Sequence, residues 1–379
     1  MKTILRTFVG CTAILFGTAC MGAVKYVPEN MKVELSLKVP GNNAVNYKLH
    51  PDKLENSYFD YEWRSDNKLP ITVFHKVEER DSCMRLTVQL TAAQDVYFNY
   101  RQLLSTGYRH DNCQFYMPGF WYRRNLRSPK KAPSFHTSDS WLVREDRLSA
   151  PLTGIFSEKE KRFMTVNRLD DFSMDALATH KEGEIILSGK TSLGFTGFEN
   201  QQGIAMLSFG FPYREAPKSY IRKLTLAPEV EAFQLMKKGE SVLLTWEIME
   251  SGADDFSDFI QHTWEHCYDT YAPKPVENSY SIADMKQVLS CFFVNSLVDN
   301  QPLVYNSGIH LKVSDCERNG QAEVGFIGRV LLNAFNAWEY GWQSNREELK
   351  VNSTKIFDSY LKNGFTCLLY TSDAADDGE

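Results

Sequence analysis

The apolar residues of this chain change their spacing once, near Ser251. Before that point they alternate with polar residues, as at Val33, Leu35 and Leu37. Alternation of this kind places the apolar side chains on one face of a β-strand. After Ser251 the apolar residues recur every three or four positions, which is the period of an α-helix. The change of period predicts a β-rich N-terminal region followed by an all-α region.

Several segments before residue 250 share the alternating pattern and are separated by short polar turns. The predicted strands lie at 71–77, 84–90, 162–166, 184–187, 204–211, 220–226 and 242–249. Many short strands joined by turns are typical of antiparallel sheets that pack face to face. We therefore predict a large antiparallel β-sandwich domain over residues 24–250.

Four helices are predicted after the strands. They cover residues 254–271, a segment that begins after Ser281, residues 321–340 and residues 346–362, with a loop at 299–320. Ser281 and Asp284 have the spacing of an N-terminal capping box. The helix at 321–340 is apolar nearly all round, so it is expected to be buried on several sides. Residues 251–275 are expected to form a linker helix and residues 276–366 the start of a larger helical array.

Both ends of the chain are expected to lie outside the fold. Residues 1–23 have the basic start, the apolar run and the small residues of a secretory signal peptide. The sequence leaves open whether cleavage follows Ala23 or a lipid is attached at Cys20. An exported protein, periplasmic or at the cell surface, is predicted in either case. Residues 367–379 resemble the translation of a sequencing-library adaptor, which would make the chain an N-terminal fragment.

Charge and cysteine content exclude some classes of function. A net charge of −6 and a pI near 5.8 give no reason to expect a nucleic-acid partner. No C-x-x-C pair or zinc-ribbon spacing is present, so a cysteine-based metal framework is not expected, and no cofactor is predicted. A disulfide between Cys83 and Cys113 is one alternative, and buried unbridged thiols are the favoured one.

Residues 116–147 break the strand pattern with prolines and combine aromatic residues with seven basic and three acidic ones. Guanidinium groups bind carboxylates through two hydrogen bonds, and an aromatic face stacks on the C–H face of a sugar. We therefore predict a loop that binds an acidic saccharide. Its candidate substrate-binding residues are Trp121, Arg123, Arg124, His136, Asp139, Trp141 and Arg144. The alternative is a structural loop in which arginines pair with acids and the tryptophans pack.

One further pattern concerns catalysis. The segment His262-Thr-Trp-Glu-His266 matches the H-x-x-E-H metalloprotease motif. Because no third ligand stands out downstream, these histidines are predicted to be solvated helix-surface residues, and no metal site is expected.

The order of signal, sandwich, linker helix and helix pair resembles the six-hairpin glycosidase-like group, which joins an N-terminal β-sandwich to an (α/α)6 toroid. The segments that carry the resemblance are 119–122 (GFWY), 139–141 (DSW), 322–329 (AEVGFIGR) and 336–341 (NAWEYG). The resemblance implies a glycoside hydrolase acting on a complex, uronate-containing polysaccharide. Hydrolysis of a glycosidic bond needs two carboxyl groups that flank the bond. Because a toroid of this kind builds its site at the ends of its helices, the resemblance implies Glu323, near the start of an otherwise apolar predicted helix, as the candidate catalytic residue, and the alternative is a first-turn helix charge.

The same resemblance implies that residues 276–366 are only the start of the toroid and that the chain itself is inactive. A polysaccharide lyase of similar architecture and a non-catalytic glycan-binding surface lipoprotein are the alternatives. Once the signal is removed, no membrane-spanning segment is expected.

Overall fold

The computed structural model describes residues 27–53, 60–80, 83–126, 132–171, 173–177, 181–222, 224–275, 277–299, 302–305, 309–311, 316–318 and 330–363. These residues form mostly antiparallel β-sheet together with four α-helices. The chain divides into two compact units, Met1–Ala272 and Pro273–Glu379. None of the described helices is long and apolar enough to cross a membrane.

In the part of the first unit that the structure describes there are nineteen strands and three short 3-10 helices, the latter at Pro28–Asn30, His110–Asn112 and Glu145–Arg147. The strands are β1 (Met31–Lys38), β2 (Val45–Lys53), β3 (Asp60–Arg64), β4 (Ile71–Glu79), β5 (Cys83–Ala92), β6 (Val96–Arg109), β7 (Cys113–Met117), β8 (Trp121–Arg123), β9 (Trp141–Arg144), β10 (Leu152–Ser157), β11 (Arg162–Arg168), β12 (Gly183–Ile186), β13 (Phe195–Gln201), β14 (Ile204–Phe211), β15 (Arg214–Glu215), β16 (Ser219–Arg222), β17 (Thr225–Ala227), β18 (Val230–Met236) and β19 (Ser241–Gly252).

Most of these strands belong to two antiparallel sheets that form a β-sandwich. The first sheet has the order β2–β1–β6–β14–β13–β9. The second has the order β2–β3–β4–β5–β19–β11–β10–β7–β8. Strand β2 therefore joins the two sheets at one edge. Strand β18 continues the first sheet beside β6 and pairs in parallel with β12 and antiparallel with β15, while β16 and β17 form a separate hairpin.

The alternation seen in the sequence becomes an alternation of burial. In β4, Ile71, Val73, His75 and Val77 are buried, and the residues between them are exposed or half-buried. The buried faces of both sheets enclose one apolar core. His75 enters this core as a neutral side chain, because burial lowers its pKa to about 3, and its Nε2 lies 2.8 Å from the Tyr100 hydroxyl.

A second apolar cluster covers the outer face of the second sheet, where helix α1 (Phe256–Tyr271) packs. The Asp255 carboxylate caps this helix by accepting hydrogen bonds from the backbone of Ser257 and Asp258. The Phe259 ring is fully buried, and Gly154 makes room for it, because a Cβ at residue 154 would lie 2.5 Å from the ring. The packing of the Phe259 ring over Gly154 therefore holds the helix against the sheet.

Among its described residues the second unit has three helices and four short strands. They are α2 (Ile282–Asn295), β20 (Leu297–Val298), β21 (Val304–Tyr305), β22 (Ile309–Leu311), β23 (Cys316–Arg318), α3 (Val330–Gln343) and α4 (Glu347–Asn363). Strand β20 pairs with β21 and β22 pairs with β23. The apolar cluster of the second unit includes Tyr305, Ala334, Leu349 and Ile356.

The predicted strands and helices agree with these elements, with three differences. The first difference is that the predicted strand at 220–226 is a hairpin of two strands, and the second is that the predicted loop at 299–320 contains β21, β22 and β23. The capping box of Ser281 and Asp284 is confirmed.

The third difference concerns the predicted helix after this loop. The predicted helix at 321–340 is described only from Val330, and it is less buried than expected: Phe335 and Trp342 are exposed. Ala334 and Ala337 provide its buried face instead, and the start of a toroid stays a prediction.

Replacement of Phe259 by alanine should destabilise the first unit by about 3–5 kcal/mol, because it empties the space above Gly154. Urea unfolding followed by circular dichroism would measure the change in the free energy of unfolding. Tyr268→Ala, on the exposed side of the same helix, should change it by no more than about 0.5 kcal/mol. Equal losses in the two variants would contradict this account of how α1 is held.

Candidate functional site

The two tryptophans of the predicted binding loop lie inside the sandwich. Trp121 and Trp141 are fully buried, with ring centroids 5.9 Å apart. Their indole N–H groups donate to the backbone carbonyls of Arg123 and Ser138, each at 3.0 Å. Rings without an open face cannot stack on a sugar in this conformation. The structure thus favours the packing alternative for both residues, and their predicted contact with substrate stays a prediction.

Two predicted arginines are held by the protein itself. Arg124 donates from Nε to the backbone carbonyl of Cys113 at 3.2 Å, and its guanidinium lies 5.3 Å from the centre of the Phe135 ring. Arg144 forms a two-point pair with Asp146, at 2.7 and 2.8 Å. The Arg144 pair corresponds to the structural alternative for this loop, in which arginines pair with acids, whereas Arg124 is held by backbone carbonyls and an aromatic ring.

The remaining predicted residues have separate neighbours. His136 is exposed and its Nε2 lies 3.0 Å from the carbonyl oxygen of Leu126, while Asp139 accepts a hydrogen bond from the Asn200 amide at 2.7 Å. Glu323 lies outside the described residues, as do the loop residues Arg127, Lys130 and Lys131. The predicted substrate-binding residues that are described therefore contact different parts of the fold.

An exposed surface does form around Arg123, which we call the aromatic–arginine surface: Tyr116, Tyr122, Arg123, Phe256 and Trp264. Tyr122 follows the buried Trp121 in β8 and points outward, with 52% of its surface exposed. Its ring centroid is 5.4 Å from that of Tyr116. The indole N–H of Trp264, on α1, donates to the Tyr116 hydroxyl at 2.8 Å, and Trp264 is 39% exposed. Two rings open to solvent are thus joined through one buried ring.

The turn before β8 fixes the position of Tyr122. Gly119 has a φ of +77°, a region that favours glycine, and a Cβ there would lie 2.8 Å from the Ser149 hydroxyl. The Gly119 backbone N–H donates to the Tyr122 hydroxyl at 3.3 Å. Asn125 supports the other side, since its side chain accepts from the Tyr122 backbone N–H at 3.0 Å and donates to the carbonyl of Phe120 at 3.2 Å.

Arg123 is the exposed cation of this surface. Its guanidinium carbon lies 5.1 Å from the centre of the Phe256 ring, a cation–π contact. Among the described residues it forms no ion pair, in contrast to Arg144. Its charge acts on the helix cap: backbone hydrogen bonds from Asp258 and Ser257 lower the pKa of Asp255, and the charges of Lys161 and Arg123 lower it further. Arg123 is exposed, and the Phe256 ring that it contacts lies 6.4 Å from the Tyr116 ring, which links this cation to the two exposed rings.

A second group of polar side chains lies between α1 and the second sheet, which we call the Glu247 cluster: Cys83, Arg85, Glu247, His266 and Thr270. Glu247 in β19 pairs with Arg85 in β5 and accepts from its guanidinium at 3.1 Å. Its other carboxylate oxygen lies 2.8 Å from His266 Nε2 and accepts from the Thr270 hydroxyl at 3.0 Å. Burial by itself would raise the pKa of Glu247, but these hydrogen bonds lower it to about 2.

The two histidines of the H-x-x-E-H motif contact different carboxylates. His262 lies 3.1 Å from the carboxylate of Asp258, while His266 contacts Glu247. His262 is 42% exposed, as predicted for a solvated residue, but His266 is 19% exposed and contacts a buried carboxylate. The sequence did not indicate this contact, because Glu247 belongs to a strand and carries no motif. The Cys83, Cys113 and Cys267 thiols are buried and unbridged, which confirms the favoured alternative.

No protein-family model and no curated protein matches the chain. A solved polysaccharide lyase matches at a TM-score of 0.30 and 11% identity, over 86% of this chain and 52% of the lyase. A protein from Synechocystis sp. PCC 6803 matches at 0.30 and 6%, over 57% and 73% of the two chains. A GH36 alpha-galactosidase from Geobacillus stearothermophilus matches at 0.25 and 10%, over 58% and 30%.

This chain thus spans about half the length of that lyase. Two of these three structures are named as carbohydrate-active enzymes. Their TM-scores of 0.30 and 0.25 are too low to support an argument about the activity of this chain.

Replacement of Glu247 by glutamine should lower the melting temperature in a pH-dependent way. A carboxylate whose pKa is lowered stabilises the folded state above its unfolded pKa, near 4.5, and this stabilisation is lost as the pH falls through about 2. The difference in melting temperature between wild type and variant should therefore be largest above pH 4.5 and shrink below it. Thermal unfolding at pH 7, 5, 4, 3 and 2 measures this difference, with a chelator present to remove divalent cations.

Glu265→Gln, on the exposed side of α1, is the matched control and should have little effect at any of these pH values. A wild-type advantage over Glu247→Gln that persisted undiminished at pH 2 would show that the ionised carboxylate is not the stabilising group.

Proposed function

We propose that this protein is an exported, carbohydrate-active protein and that its β-sandwich unit binds a saccharide at the aromatic–arginine surface. The observation that carries the proposal is the pair of exposed rings, Tyr122 and Trp264, beside the guanidinium of Arg123. The proposal keeps the role that was predicted for the loop from its aromatic and basic residues. The proposed sugar-binding rings are Tyr122 and Trp264, whereas the sequence analysis chose Trp121 and Trp141.

Exposed aromatic rings suit a sugar because they combine apolar faces with polar edges. The hydrogen bond between Trp264 and Tyr116 fixes the indole edge and leaves part of the ring open. Tyr122 is fixed by its contact with the backbone of Gly119. Rings that are already held lose little conformational entropy when a ligand binds, which favours measurable affinity.

Arg123 favours a sugar that carries a carboxylate. A guanidinium can donate two parallel hydrogen bonds to such a group, and Arg123 has no carboxylate partner among the described residues. A uronate is therefore the proposed ligand class. The Asp255 carboxylate at the start of α1 is close enough for the charge of Arg123 to lower its pKa, but it forms no ion pair with that guanidinium.

The chemistry of the whole protein is proposed from the sequence resemblance to be hydrolysis of a glycosidic bond, with cleavage by a lyase as the second candidate. The two differ in product. A lyase abstracts a proton beside a uronate carboxyl and leaves an unsaturated sugar that absorbs in the ultraviolet. Incubation of the whole protein, rather than of this chain alone, with uronate polysaccharides, followed by reducing-end assay and ultraviolet absorbance, separates the two candidates from each other and from binding alone.

Substitution of the exposed groups should weaken binding of uronate oligosaccharides, measured by isothermal titration calorimetry. Trp264→Ala should reduce affinity for neutral and uronate oligosaccharides alike, because it removes a stacking face. Arg123→Ala should reduce affinity for uronate oligosaccharides by about tenfold or more, the loss expected for a hydrogen bond to a charged group, and should spare neutral ones.

Arg64→Ala is the matched control, since Arg64 is an exposed arginine in β3, near the opposite end of the same sheet. It should bind like wild type. If uronate and neutral oligosaccharides failed to bind the wild type, or if Arg64→Ala lost as much affinity as Arg123→Ala, the proposed site would be wrong.

A further inference from the structure

The Glu247 cluster brings together three different metal-ligating groups. The thiol of Cys83, a carboxylate oxygen of Glu247 and a ring nitrogen of His266 all lie within 4.8 Å of one another. They come from β5, β19 and α1, so the packing of the helix on the sheet assembles them. Cys83 and Glu247 are 4% and 3% exposed, while His266 at 19% borders solvent. From this geometry we infer a binding site for one divalent cation of the zinc class.

The donor set selects the kind of metal. A thiolate, an imidazole and a carboxylate form a mixed soft and hard set, which suits Zn²⁺ and disfavours Mg²⁺ and Ca²⁺, since these prefer oxygen ligands. Three protein ligands leave one position for water in a tetrahedral site. This inference departs from the sequence, because the H-x-x-E-H motif contributes one histidine only, and the other two ligands lie in strands.

Binding requires a defined exchange of protons and hydrogen bonds. The Cys83 thiol is protonated without metal, since burial raises its pKa to about 11, so its proton passes to solvent when the S–metal bond forms. The proton that His266 Nε2 shares with the Glu247 carboxylate passes to Nδ1 or to solvent, and the hydrogen bond is replaced by one bond from each group to the metal. Arg85 donates to the other carboxylate oxygen, so its contact can persist and balance the negative charge of the two anionic ligands.

Titration of the apo-protein with Co²⁺ tests the site, because a Co²⁺–thiolate bond gives an intense near-ultraviolet absorption band. We expect one equivalent of Co²⁺ to produce the band and one equivalent of Zn²⁺ to remove it. Cys83→Ser should abolish the band, and His266→Ala should weaken Zn²⁺ binding in competition with a chromophoric chelator by about tenfold or more. Cys113→Ser, which removes another buried thiol, should retain both properties.

A measurement on the wild type alone covers the case in which a variant fails to fold. X-ray absorption of the zinc-loaded protein should show one sulfur at about 2.3 Å and nitrogen or oxygen neighbours at about 2.0–2.1 Å. Absence of stoichiometric Zn²⁺ binding, a first shell without sulfur, or an undiminished Co²⁺ band in folded Cys83→Ser would each overturn the inference.

Discussion

The packing of α1 on the second sheet is the contact on which both candidate sites depend. Phe259 lies fully buried over Gly154 and against Phe163, at 5.0 Å between ring centroids. This contact sets the height of the helix above the sheet as well as its rotation. Trp264 and His266 follow in the same helix. The packing of Phe259 on the sheet therefore also fixes the distance from Trp264 to Tyr116 and the distance from His266 to Glu247. Phe259 also contacts the rings of Tyr116 and Phe256 directly, so it positions the aromatic–arginine surface both through the helix and by ring contacts.

Much of the fold could be predicted because it follows from local periods. Alternation in β4 and the capping residues of α2 each depend on neighbours in sequence, and both are found in the structure. The candidate site depends on which side of a short strand faces the core, which the loop composition does not reveal. In β8 a single step separates the buried Trp121 from the exposed Tyr122. Two tryptophans beside arginines indicated a binding loop, and the sandwich uses both as core.

The Glu247 cluster could not be predicted for a different reason. Glu247 and Arg85 occupy directly opposed positions of two strands that are far apart in sequence. Their pairing depends on the order of strands in the sheet, which the alternation of apolar residues leaves undetermined. The H-x-x-E-H spacing drew attention to the correct helix, but a motif on one helix carries no information about the sheet beneath it. Tertiary pairing therefore decides which of the two histidines acquires a buried partner.

The helical period explains how one element can serve two sites without conflict. With 3.6 residues per turn, Phe259, Thr263 and Cys267 form the face of α1 that is buried on the sheet. Trp264 and Tyr268 are four residues apart and share an exposed side. His266 and Thr270 are likewise four apart, and both reach the same oxygen of Glu247 from the flank of the helix. The two pairs lie on different sides of one helix, so the rotation of α1 that Phe259 sets positions both of them.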